Sequence, residues 1–106
     1  MKLGIIISTA DPETVFNVFR LGNFAFSEGD QVQVFLLGKG VELDTIDDQH
    51  YNVMEQVRTF LENGGKILSC GTCLKLRNKE TPEVCSLSTM KELYRLIQDT
   101  DRVVSF

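Results

Sequence analysis

The sequence predicts an α/β fold: a mostly parallel sheet of about five strands with helices on both faces. Two observations carry this. Strand-like and helix-like segments alternate along nearly the whole chain. The strand-like segments are also short apolar runs, the pattern of strands covered on both faces, as parallel strands are. At 106 residues the chain makes a single domain, 1–106, with a core that needs no disulfide or metal staple.

Residues 2–8, a β-branched run, form the first strand. Asp11-Pro12-Glu13 starts a helix with a capping side chain, a first-turn proline and an acid near the positive end. That helix runs from Pro12 to Ser27. At about 100° per residue, Val15, Phe19 and Phe26 share one stripe, while Leu21 and Phe24 lie on the far side. The stripe packs on the sheet, and the far aromatic surface calls for another partner such as a neighbouring subunit. Gly29-Asp30 closes the helix and residues 31–37 are the second strand. Gly38-Lys39-Gly40 then forms a plain turn, because a dinucleotide fingerprint needs a third glycine and a helix opening directly.

Residues 41–49 are acidic and lie at the same sheet edge as Cys70 if the strands are parallel. They are either a solvated connection or a mobile lid or partner-docking loop over the thiols. The second helix spans His50 to Asn63, with Val53, Val57, Phe60 and Leu61 at helical spacing, and Gly64-Gly65 stops it. The third strand ends at Cys70 and a short helix follows from Thr72 to Arg77. Residues 78–82 break the pattern, and 83–87 are a short fourth strand or a loop. Thr89 and Glu92 have capping-box spacing for the last helix, whose inner face is Met90, Leu93 and Ile97. Residues 101–106 are the final strand.

Several function classes are excluded by composition. The net charge of −4 provides no basic stripe to neutralise phosphates, which argues against nucleic-acid binding. No apolar run approaches the ~20 residues of a membrane span, and the N-terminal run is too short for a signal peptide. Three cysteines without a secretory signal fit a reducing cytoplasm.

The chemistry concentrates at Lys66-Ile67-Leu68-Ser69-Cys70-Gly71-Thr72-Cys73-Leu74-Lys75-Leu76-Arg77. A buried strand brings Cys70 to the sheet edge, where its thiol is expected to be exposed. The amides of Gly71 and Thr72 at the helix start, with Lys75 and Arg77 beyond, are expected to stabilise a thiolate there. Cys73 completes a C-x-x-C pair, a spacing that permits a disulfide and lets Cys73 resolve a modified Cys70. A thioredoxin-type site would carry an aromatic before the first cysteine and a cis-proline opposite. Here Ser69 precedes Cys70, and Pro82 is a turn proline. Cys85 reads as structural. A zinc site from Cys70, Cys73, Cys85 and His50 is the metal alternative, though a second paired motif is missing.

The run from Ser69 to Asn78 resembles the cysteine motif of DsrE/DsrF-like proteins, which include sulfur-relay subunits of the TusBCD type. The opening strand and helix and the closing Asp101-Arg102-Val103-Val104-Ser105-Phe106 are similar to that family's ends. The resemblance implies a three-layer α/β fold, homo-oligomers (trimers or hexamers) and a cysteine carrying persulfide sulfur between donor and acceptor proteins. The sulfur-carrying cysteine corresponds to Cys70, and Arg77 falls in the motif's basic tail. Relay members usually have alanine-like residues in place of Cys73 and glycine in place of Asn78. The expected function is thus a sulfur carrier needing no organic cofactor, with a dithiol–disulfide redox protein or a non-catalytic oligomeric module as alternatives.

Overall fold

The computed structural model describes residues 1–106. Five strands, β1 (Lys2–Ile7), β2 (Gln31–Leu36), β3 (Lys66–Cys70), β4 (Ser86–Ser88) and β5 (Arg102–Ser105), form one sheet. Their order is β4-β3-β2-β1-β5, and every neighbouring pair is parallel. The expected three-layer α/β architecture is therefore the observed one; of the expected 83–87 segment, 83–85 form a turn and the edge strand β4 begins at Ser86.

Helices α1 (Pro12–Ser27) and α2 (Val53–Glu62) lie side by side, because β1, β2 and β3 step across the sheet in one direction. Helix α4 (Met90–Asp99) belongs to the return from β4 to β5, which crosses the sheet the other way. A right-handed connection then puts it on the opposite face. There Leu96 presses on Gly4, so closely that a Cβ on Gly4 would meet Leu96 Cδ2 at 2.5 Å.

Local chemistry sets the helix starts. Asp11 caps α1 by accepting the Thr14 N–H at 2.9 Å, and Asn52 caps α2 by accepting the Glu55 N–H at 3.1 Å. The expected Thr89–Glu92 capping box opens α4.

Two helix expectations are corrected. The second helix starts at Val53 and not at His50, because the Asp48 carboxylate accepts the N–H groups of His50 and Tyr51 and holds them in a turn. On α4 the inward residue is Leu96, with Leu93 partly buried, whereas Met90 and Ile97 are 58% and 49% exposed. The helix has no neighbour on its own face, so the part of its apolar stripe turned away from the sheet stays in water. On α1, Val15 and Phe19 are buried and Phe26 packs against the core, while Leu21 and Phe24 face outward as the spacing predicts. No helix is long and apolar enough to cross a membrane.

Candidate functional site

Cys70 is the last residue of β3, an inner strand between β2 and β4. Strand register places it beside Ser88, on the sheet face shared by Leu68, Phe35 and Gly4, which α4 covers. Helix α3 (Gly71–Leu76) follows with no intervening loop, and Cys70 is its cap: the sulfur accepts the Cys73 N–H at 3.4 Å.

The expected exposed thiolate is not what the fold presents. Cys70 is only 3% exposed, because β4 pairs alongside β3 and brings Leu87 and the Ser88 carbonyl against Gly71. Burial, and next the adjoining Cys73 thiol, push the Cys70 thiol above its ordinary range; the N–H groups of Cys73 and Thr72 pull the other way and do not prevail.

The cations are engaged elsewhere. Arg77 donates from Nε to Glu42 Oε2 at 3.2 Å and from Nη1 to the Cys73 carbonyl at 3.2 Å. Lys79 pairs with Asp44 at 2.6 Å. Lys75 is exposed and forms no ion pair, so neither Lys75 nor Arg77 acts on the Cys70 thiol here. Gly71 provides the close approach of β4, and the backbone N–H that reaches the Cys70 sulfur is that of Cys73, at 3.4 Å.

The first half of the acidic stretch is neither a solvated loop nor an unattached lid, while residues 46–49 are irregular and mostly exposed. Residues Gly38–Thr45 form a 3₁₀ helix that buries Val41 and Leu43 and is tied to the segment after α3 by the two ion pairs. Both pairs are partly exposed, so each adds at most about 1 kcal/mol and the buried side chains do most of the anchoring. A polar cleft of about 700 Å³ lies between these segments, lined by Glu42, Asp44, Arg77 and Lys79 and by no hydrophobic side chain. That lining is unlike the apolar wall of a typical small-molecule pocket.

Sequence reasoning missed Gly38. Its N–H donates to Cys73 Sγ at 3.2 Å, so the turn after β2 also belongs to the thiol site. The only signal was the G-x-G itself, in which Gly38 adopts φ +55 and Gly40 packs against the Ile7 carbonyl. Cys73 is half-buried, Cys70 and Cys73 are both free thiols, and they are mutual neighbours.

Cys85 stands apart, packed against the core. Burial, with Asp44 adding to it and Lys79 opposing, pushes its thiol up to about 12. Below pH 9 both the folded and unfolded chains hold that proton. Between 9 and about 12 the unfolded chain releases it first, so stability falls as pH rises through that window. Urea melts from pH 8 to 11 check this: Cys85→Ala is expected to show a smaller loss than wild type. His50 is exposed in its turn, and Cys70, Cys73, Cys85 and His50 are not brought together, since no cluster of three or more His, Cys, Asp or Glu side chains is positioned to hold a metal.

An all-parallel sheet that carries two neighbouring thiols at the carboxyl end of an inner strand defines a thiol-bearing three-layer α/β domain. The chain belongs to the DsrE/DsrF-like family, whose model matches residues 1–106, and that family is generally related to sulfur relay. It is 30% identical to an uncharacterized protein of Methanocaldococcus jannaschii, with both chains covered in full. It is 29% identical to an uncharacterized protein of Methanopyrus kandleri, covering 96% of this chain and 91% of that one. The fold is also that of the ychN protein of E. coli, with a TM-score of 0.84 at 20% identity over the whole of both chains. A conserved protein of unknown function from Bacteroides thetaiotaomicron matches with a TM-score of 0.79 at 21% identity, covering 99% and 94%.

Proposed function

We propose that this chain is a sulfur carrier that accepts persulfide sulfur at Cys70 from a donor protein and passes it to an acceptor. One observation supports it above others: Cys70 ends an inner strand with the Cys73 N–H pointing at its sulfur, in a family related to sulfur relay. Thiol–persulfide exchange is a group transfer between sulfurs and needs no organic cofactor. A persulfide is more acidic than a thiol. Loading sulfur therefore turns a protonated, covered Cys70 thiol into an anion one sulfur longer, about 2 Å further out.

Peptide mapping after incubation with glutathione persulfide tests this. The expected result is a gain of about 32 Da on the Cys70 peptide of wild type, absent from that peptide in Cys70→Ser. Wild-type protein with no sulfur on Cys70 overturns the reading. A second reading, dithiol–disulfide exchange, is favoured by the closeness of the two free cysteines, the Cys73 N–H reaching Cys70 Sγ at 3.4 Å. A reversible Cys70–Cys73 disulfide with turnover by a thioredoxin system supports it over relay.

The carrier reading includes self-association. Leu21 and Phe24, the latter 61% exposed, form the outward side of α1 and are the proposed contact between copies. Sedimentation checks it: wild type is expected to run as an oligomer and Phe24→Glu as a smaller species.

A further inference from the structure

We propose that Cys73 is the port of the site: it takes sulfur from the donor first and hands it to Cys70, with the Gly38 N–H holding the charge on the Cys73 sulfur. The inference rests on the carrier reading of Cys70 and deepens it.

Access favours Cys73. It is half-buried, whereas Cys70 is closed over by β4 and the start of α3. A donor persulfide on another protein meets Cys73 before it meets Cys70.

A backbone donor also reaches Cys73. The Gly38 N–H points at Cys73 Sγ from outside its own helix, at 3.2 Å. Gly38 is in the left-handed region at φ +55, with open space where a Cβ would be, so backbone conformation rather than packing requires the glycine there. Gly40 then fixes the turn against Ile7, and Arg77 binds both the Cys73 carbonyl and Glu42. Donor and sulfur are thus held by the same scaffold. The Cys73 N–H already reaches Cys70 Sγ at 3.4 Å, so the two cysteines are close enough that sulfur placed on Cys73 needs no further carrier to reach Cys70.

The steps balance without an oxidant. Cys73 thiolate attacks the outer sulfur of a donor persulfide; the Cys73–S bond forms, the donor S–S bond breaks, and the donor leaves as a thiol with the persulfide proton. The product is Cys73–S–S⁻. Cys70 then attacks that outer sulfur, forming Cys70–S and breaking the bond to Cys73 Sγ. The Cys70 proton moves to Cys73, leaving Cys70–S–S⁻ and a Cys73 thiol. Unloading is the reverse, through Cys73 to an acceptor thiol.

Two measurements on the intact protein test the port. In competitive alkylation with iodoacetamide, read by peptide mapping, Cys73 is expected to be labelled about tenfold faster than Cys70. With glutathione persulfide, sulfur is expected to settle on Cys70 in wild type and to stop on Cys73 in Cys70→Ser. Cys73→Ser, which keeps an acceptor for the Gly38 N–H, is expected to load Cys70 about tenfold more slowly. Loading of Cys70 at the wild-type rate in Cys73→Ser overturns the port and leaves the carrier reading standing, as does labelling of Cys70 ahead of Cys73. Absence of sulfur from both cysteines of wild type overturns the carrier reading itself, whatever the alkylation order.

Discussion

Gly40→Ala is expected to destabilise the fold by at least about 3 kcal/mol, the upper end of what overpacking costs. A Cβ at this position would run into the carbonyl of Ile7. Neither side can yield cheaply. Ile7 ends the inner strand β1 and is fully buried, and its carbonyl already accepts the Leu37 N–H at 2.9 Å. Gly4→Ala makes the contrasting case, because its added Cβ meets the flexible end of Leu96, and it is expected to lose clearly less. Against a typical total of about 5–15 kcal/mol, the Gly40 change is a large fraction of stability. It also displaces the turn that aims the Gly38 N–H at Cys73, so thiol labelling in the surviving folded protein is expected to change with it. Urea denaturation with alkylation in parallel checks both. A Gly40→Ala midpoint close to that of wild type would show that the turn relaxes freely.

Phe60→Ala is expected to cost about 3–5 kcal/mol, the range for deleting a buried aromatic side chain. The ring is fully buried where α2 meets α1, edge-on to Phe19 at 5.3 Å and tilted against Phe26 at 5.4 Å. Gly22 lies against one part of it and Gly65 against another, so the ring fits a slot built partly from the absence of side chains. The surroundings are held by two helices and the sheet and collapse poorly into the void. Phe60→Leu, which keeps much of the volume, is expected to lose less than half as much. Denaturant midpoints of the two variants at equal m-value provide the comparison.

Much of the architecture is legible from local chemistry. The β1 and β2 runs, the Asp11-Pro12 start of α1, the Thr89–Glu92 capping box and the Gly64 stop after α2 each act over a few residues. Each sits where the spacing places it. Cys70 at the end of an inner strand follows from the same local reading. The start of α2 was not legible because Asp48 competes for the N–H groups of His50 and Tyr51, a turn that helical spacing does not reveal.

What the sequence determined by itself is therefore the alternation, the parallel sheet and the address of the two thiols, all set by short-range periodicity and capping. Tertiary structure decided how those thiols are treated. The short strand β4 pairs beside β3 and closes over Cys70; the acidic segment docks by Val41 and Leu43 and draws off Arg77 and Lys79; and a glycine N–H 35 positions away in the chain reaches Cys73. Each of these is a contact between segments distant in sequence. Solvation and charge at a sulfur depend on what packs against it, and no spacing rule within one segment encodes that.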